Sequence, residues 1–509
     1  MRGVVAAGHP LTAEAGADAL RRGGNAVDAA CAAMLMSWVT ESPLTGPGAG
    51  GFMLVHTAAG ADHLLDFFVA APGKGLTAGK RAKLTPIDIH FSDEVVQVFN
   101  VGPSSNGVPG TPLGVAEALE RFGTLSLQEL TAEPARAARA GVELNVGQGH
   151  LHRILAPIFE STAEGRAIYE PDGRPLARGE TIRQPELGDL LDRLGNEGPG
   201  FVYRGETAER LADWVLERGG MLTREDLAAY EVIEREPARA RYHGREILTN
   251  PPPSSGGILI AYALDLLERL GDQGERYMKA IVHAMDAANH ARTPEFTAGL
   301  KAEGYMETFL AAESLQAKAS EVSSRLGSTT HLSALDEEGN CASVTCSNGS
   351  GSAVIVPGTG VHLNNMLGEE DLNPGGFHLH TPGIRVPSMM APTVVLKDGE
   401  CEVALGSAGS NRIRSAVLQT ALNVIDGELD AQAAVDRHRI HAEGGTVDTE
   451  PGTEDWLLEE LEAEGWRVQR WRERDLYFGG VQAVARDGAT GALTGGGDPR
   501  RGGASVGVG

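Results

Sequence analysis

The stretch that decides the fold is 325-RLGSTTHLSALDEEGNCASVTCSNGSGSAV-354. From His331 to Leu335 the residues alternate with the period of a strand. Asp336-Glu337-Glu338-Gly339-Asn340 then supplies turn chemistry, and Cys341 to Ser347 reads as the returning strand. This predicts an antiparallel hairpin with a hydroxyl pair, Thr329-Thr330, at its entrance. Such threonines can cap a strand. They can also hold a nucleophile. A threonine hydroxyl needs a base, and an α-amine on the same residue is one, with a reference pKa of about 7.7–8.0. An internal threonine gains that amine only when the bond before it is cut. The hydroxyl can make the cut itself, attacking the Ser328 carbonyl to give an ester that water hydrolyses.

Further strands are predicted outward from the hairpin, at 353–355, 393–397 and 401–405, and upstream at 52–56 and 63–67. Helices are predicted at 413–425 and 431–434. Residues 113–330 read as mainly helical, with segments at 113–122, 125–140, 184–194, 207–218, 257–270 and 278–291. Asn25, with Asp28 three residues later, opens an Ala-rich helix of the kind that packs tightly on a sheet. "TNPPPSSGG" (249–257) is a helix-forbidding loop, and the Gly-rich tail reads as flexible except for the Asp498-Pro499-Arg500 turn. Strands at both ends with helices between them do not suit a doubly wound sheet. A central antiparallel sandwich covered by helices fits better, with both ends of the chain in one core.

The 44 basic against 69 acidic side chains, a net charge of −25, oppose binding to nucleic-acid phosphates and anionic membranes. No stretch reaches the roughly 18–20 apolar residues of a membrane span. "MRGVVAAGHPLTAEAG" lacks the apolar segment of a secretory signal. Cys31, Cys341, Cys346 and Cys401 contain no C-x-x-C pair, and Cys341 and Cys346 face opposite sides of one strand. Reduced thiols and a cytoplasmic location are the expectation.

Gly46-Pro-Gly-Ala-Gly-Gly51 matches G-x-G-x-x-G, but a helix precedes it and a strand follows, the reverse of a dinucleotide site. It reads as a close-packed turn. His150/His152 and His378/His380 have a spacing that, on a strand, places two imidazoles on one face. Neither pair has a third ligand nearby, and both read as solvated or turn histidines. No G-x-S-x-G, Walker A or H-E-x-x-H motif is present. Two loops support the threonine. In "LGSAGSNRI" (405–413) a strand ends in small residues before a helix, so consecutive N–H groups can meet an oxyanion. "LNNMLGEEDLNP" (363–374) clusters amides and carboxylates suited to a substrate ammonium.

Taken together, "GHPLTAEAGADALRRGGNAVDAA", "GPGAGGFM", "GVPGTPLG", "GGMLTREDLAAY", "PPPSSGG", "STTHLSALDEEGNCASVT", "LNNML", "APTVVL", "GSAGSNRI" and "DPR" resemble, in order and over nearly the whole chain, the γ-glutamyltransferase (glutathione hydrolase) family of N-terminal nucleophile hydrolases. The resemblance implies a four-layer αββα sandwich made as one precursor. Self-cleavage between Ser328 and Thr329 would leave a large subunit, 1–328, associated with a small one, 329–509, in one intertwined domain. It further implies Thr329 as nucleophile, Ser347 as the supporting hydroxyl, Gly409 and Ser410 as the oxyanion-hole pair, and Asn365, Glu369, Ser388 and, at the position of the family's arginine, Phe68 as substrate-binding residues. No cofactor or metal is implied. The substrate would be a small γ-glutamyl-like amide, and the acceptor water or an amine.

Departures lie in recognition. Phe68 and Val69 stand where the family has the arginine that clamps the glutamyl α-carboxylate and a nearby acid. Met389 replaces one serine of a pair, and Gly349 one asparagine of the hairpin. An apolar ring cannot replace a bidentate cation, although Arg385 or Arg412 could supply one. This leaves two further readings: the same machinery acting on a different acyl group, and an uncut scaffold that only binds a ligand.

Overall fold

The computed structural model describes residues 2–77, 81–90, 96–271, 273–311, 329–373 and 375–509. Ser328 lies outside the described residues. Among those described, thirteen strands build two facing sheets. In chain order they are β1 (Gly3–Ala7), β2 (Gly50–His56), β3 (Asp62–Phe67), β4 (Ile233–Arg235), β5 (Ala238–Tyr242), β6 (Arg245–Thr249), β7 (Thr330–Asp336), β8 (Cys341–Ser347), β9 (Thr393–Lys397), β10 (Glu400–Ala408), β11 (Gly480–Arg486), β12 (Leu493–Gly497) and β13 (Ala504–Val508). The first sheet has the order β13-β1-β7-β8-β2-β3-β4 and the second β12-β11-β10-β9-β6-β5. Every pairing within them is antiparallel.

Alternation along each strand sorts the apolar side chains into three layers. Val4, Ala6, Phe52, Leu54, Leu335 and Cys341 of the first sheet meet Leu248, Val394, Cys401, Ala404 and Val484 of the second. The opposite face of the first sheet (Val5, Met53, Leu332, Val344) packs under helices α1 (Pro10–Arg21), α2 (Ala26–Thr40), α3 (Thr111–Phe122) and α4 (Leu127–Ala140). The outer face of the second (Ile247, Val395, Val403, Val481) packs under α5 (Gly256–Leu270), α6 (Tyr277–His290) and α7 (Arg412–Ile425). The fold is the expected αββα sandwich. α2 starts at a capping box made by Asn25 and Asp28, and all of its residues are buried.

Several local expectations are corrected. The C-terminal tail is not flexible: it forms β12 and β13. Its glycines mark close approach, because a Cβ on Gly497 would overlap the backbone of Ala504. The segment read as mainly helical also contains β5 and β6 at the edge of the second sheet. His150 and His152 lie on a helix, Val146–Phe159, rather than a strand, and His378 and His380 lie in irregular chain. All four cysteines are free and buried; Cys341 faces the second sheet and Cys346 the helices. No helix among the described residues is long and apolar enough to cross a membrane.

Candidate active site

The β7–β8 hairpin occupies the middle of the first sheet, and Asp336 shapes its turn. One carboxylate oxygen accepts from Gly339 N and Asn340 N, and the other from Ala26 N at the start of α2. The pairs His331–Thr345, Ser333–Ser343 and Leu335–Cys341 share the face toward the second sheet. One step further, parity brings Thr329 opposite Ser347 on that same face. The hairpin's inner face therefore passes from apolar at its turn to polar at its open end. Thr329 is 5% exposed and Ser347 3%.

Burial forces each of these polar groups to find a partner. His331 bonds Thr345 Oγ1 through Nδ1 (2.8 Å) and Ser333 Oγ through Nε2 (2.9 Å). Ser333 donates to Gln482 O and Ser343 to Leu405 O, which ties the hairpin to the second sheet. Burial lowers the His331 pKa to about 3, so its ring is neutral. Ser347 Oγ accepts from Gly349 N at 3.0 Å.

The His331 ring rests on Gly406, while Ser343 touches the preceding carbonyl, so β10 runs toward the same end of the sandwich as Thr329 and Ser347. There β10 stops at Ala408. Gly409 (φ 122°) and Ser410 (φ 49°) turn the chain into α7. Both residues have positive φ, a conformation that Ser410 adopts despite its side chain. Neither N–H donates to a backbone carbonyl among the described residues. Ser410 Oγ donates to Asp371 Oδ2 at 2.8 Å, which holds the turn against the acidic loop.

Gly368, Glu369, Glu370, Asp371 and Ser410, with Gln97, Val98 and Phe99, line a narrow crevice. Burial and the Asp371 charge raise the Glu369 pKa to about 8. A Cβ on Gly349 would come within 2.5 Å of the Glu369 carboxyl, which therefore occupies the space that a side chain at 349 would need. Asn365 is fully buried nearby, with both ends of its side-chain amide unpartnered among the described residues. Ser388 Oγ accepts from Met390 N, and its carbonyl receives Ser254 and Ser255 of the proline-rich loop.

Phe68 is wholly buried in the inter-sheet layer, stacked on Phe52 with ring centroids 5.3 Å apart. The two arginines that could replace the missing cation are engaged elsewhere. Arg385 donates to Asp66 Oδ1 (3.1 Å) and Glu231 O (2.5 Å), and Arg412 lies 4.0 Å over the Tyr477 ring. No group of three potential metal ligands occurs among the described residues.

Sequence reasoning missed two members of this neighbourhood: Asp371, and Glu41, whose carboxylate accepts from Thr330 Oγ1 at 2.5 Å. The one available signal for Glu41 was an acid closing an otherwise apolar helix in "MLMSWVTES".

Comparison with known proteins extends over the whole arrangement. A family model described as Gamma-glutamyltranspeptidase matches residues 12–508. A Bacillus subtilis (strain 168) protein named glutathione hydrolase proenzyme is 32% identical, covering 99% of this chain and 91% of its own length. Acylase ACY 1 proenzyme of Pseudomonas sp. (strain SE83) is 33% identical over 97% of this chain and 91% of its own. The crystal structure of cephalosporin acylase from Bacillus halodurans superposes with a TM-score of 0.82 at 27% identity, covering 99% and 95% of the two chains.

Proposed function

Because the chain belongs to the gamma-glutamyltranspeptidase family, we propose that it is a self-cleaving amide hydrolase acting through an acyl ester on Thr329, and that its acyl group lacks the α-carboxylate of a γ-glutamyl donor. In the first step Thr329 Oγ attacks the Ser328 carbonyl carbon, the C–N bond breaks, and water hydrolyses the resulting ester. A carboxylate is left on Ser328 and an amine on Thr329. In turnover that amine takes the Thr329 hydroxyl proton as Oγ adds to the substrate amide. The Gly409 and Ser410 N–H groups receive the oxyanion, and the leaving amine departs with the proton. Water, deprotonated by the same amine, releases the acid; an amine in its place gives transfer. Ser347 supports the nucleophile from the neighbouring strand, and Asn365, Glu369 and Ser388 line the acyl side.

The observation that carries the choice of acyl group is the burial of Phe68 with Arg385 bound to Asp66. The likeness to an acylase proenzyme supports it. The second reading, a γ-glutamyl donor, draws on the retained Asn365 and Glu369 and on the equally strong likeness to a glutathione hydrolase. Anilides of γ-glutamic, glutaric and 4-aminobutanoic acid separate the two, since they carry both end groups, the carboxylate alone and the amine alone. A charge-assisted bond to a carboxylate contributes roughly 1.5–3 kcal/mol, about 10- to 150-fold. The proposal expects kcat/KM for the 4-aminobutanoyl anilide, which lacks the carboxylate, to equal or exceed that for γ-glutamyl. A preference of that size for the carboxylate-bearing γ-glutamyl or glutaryl anilide over it would overturn the proposal.

A further inference from the structure

Glu41 closes α2 and is 4% exposed. One carboxylate oxygen accepts from Thr330 Oγ1 (2.5 Å) and the other from Thr12 Oγ1 (3.2 Å), which is itself bonded to Thr40 Oγ1. A Cβ on Gly8 would overlap the same carboxylate, so the chain leaving β1 passes directly against it. Four segments thus converge on one buried acid: the end of β1, the start of α1, the end of α2 and the start of β7. A buried carboxyl is costly to keep unless its lone pairs are used, and here the hydroxyl it holds belongs to the residue after Thr329.

Thr330 faces the helices while Thr329 faces the second sheet, so Glu41 does not touch the reacting atoms. Its importance changes when the chain is cut. Before cleavage, residue 329 is tethered on both sides; afterwards it begins a free strand, and chain ends fray unless tied down. Thr330 is then the first residue anchored by both a ladder pair, to Cys346, and a side-chain bond. We propose that Glu41 is a positioning residue that, through Thr330, clamps the start of β7 so that the freed Thr329 amine and hydroxyl stay registered against Ser347 and the Gly409–Ser410 turn. This rests on the reading of Thr329 as nucleophile.

The test uses the full chain and five variants, T330V, T330S, E41Q, E41Q/T330V and T329A, with thermal melts to confirm folding. Self-cleavage is followed on denaturing gels, and kcat and KM are measured on the anilide that the wild type cleaves fastest. T330V keeps the shape of Thr330 and removes the donor. It should still cleave itself, with kcat reduced about 10- to 100-fold, the size of one hydrogen bond to a charged group, while KM moves less than about threefold. T330S should restore kcat. E41Q, whose amide oxygen can accept from Thr330 and whose N–H₂ can donate to Thr12, should lose less than T330V, and adding T330V to it should produce the same drop. Wild-type kcat in T330V, or a loss that T330S does not restore, would overturn the proposal. Activity in T329A would overturn the nucleophile reading instead.

Discussion

Glu41 and Glu369 are acids raised by burial to about 7 and about 8, whereas His331 is a base lowered by burial to about 3. The consequences for stability have opposite signs. Each raised carboxyl binds its proton more tightly in the folded chain. Its contribution is complete below the ordinary carboxyl range and is lost as pH rises through 7 and 8. His331, lowered in the fold, contributes fully above its ordinary value of 6.5 and loses that contribution as pH falls toward 3. Around Glu41 the groups to reckon with are Thr12, Thr330, Cys346 and Arg501; the Arg501 charge pulls the acid down, but burial is the larger effect. In E41Q the buried acid is gone. Thermal melts from pH 5 to 9 should show E41Q gaining on the wild type as pH rises. A pH-independent offset would mean that Glu41 does not titrate in this range.

At the scale of elements, the β7–β8 hairpin and β10 hold the candidate machinery, and at Gly406 they pack without room for a side chain. A Cβ there would overlap the His331 ring, which Thr345 and Ser333 fix from both sides. G406A should therefore destabilise the protein by about 1–3 kcal/mol, the usual range for overpacking, read from urea melts against the wild type. An unchanged midpoint would show that the ring has room to move. The same elements explain what could be read in advance. The 331–335 alternation and its Asp-Gly-Asn turn were visible because turn and period agreed. β5 and β6 were not, since "ARARYHGREI" places charges on the solvent side of a sheet edge and leaves few apolar residues to count. The tail was missed because glycines that let β12 and β13 pack closely read the same as glycines that let a chain flex. Motif order is what points to Thr329 as candidate nucleophile and to Gly409–Ser410 as candidate oxyanion turn; Glu41 and Asp371 join them only through contacts distant in sequence, which no local pattern records.

In the whole molecule, residues on either side of Thr329 interleave in both sheets. β7 lies between β1 and β8, and β8 pairs with β2; in the second sheet β9 pairs with β6. A cut before Thr329 would leave two fragments sharing every hydrophobic layer. They should elute together under native conditions and part only in denaturant. Separation on a native sizing column would contradict that layering. Turnover as proposed requires one broken bond that frees an amine beside the Thr329 hydroxyl. Intact-mass spectrometry of the purified wild type and T329A, paired with anilide hydrolysis by the same samples, tests it most directly. The wild type should appear as fragments 1–328 and 329–509 and be active, and T329A should be uncut and inactive. An active wild type with the 328–329 bond intact, or a T329A protein still cut at that bond, would contradict the proposal.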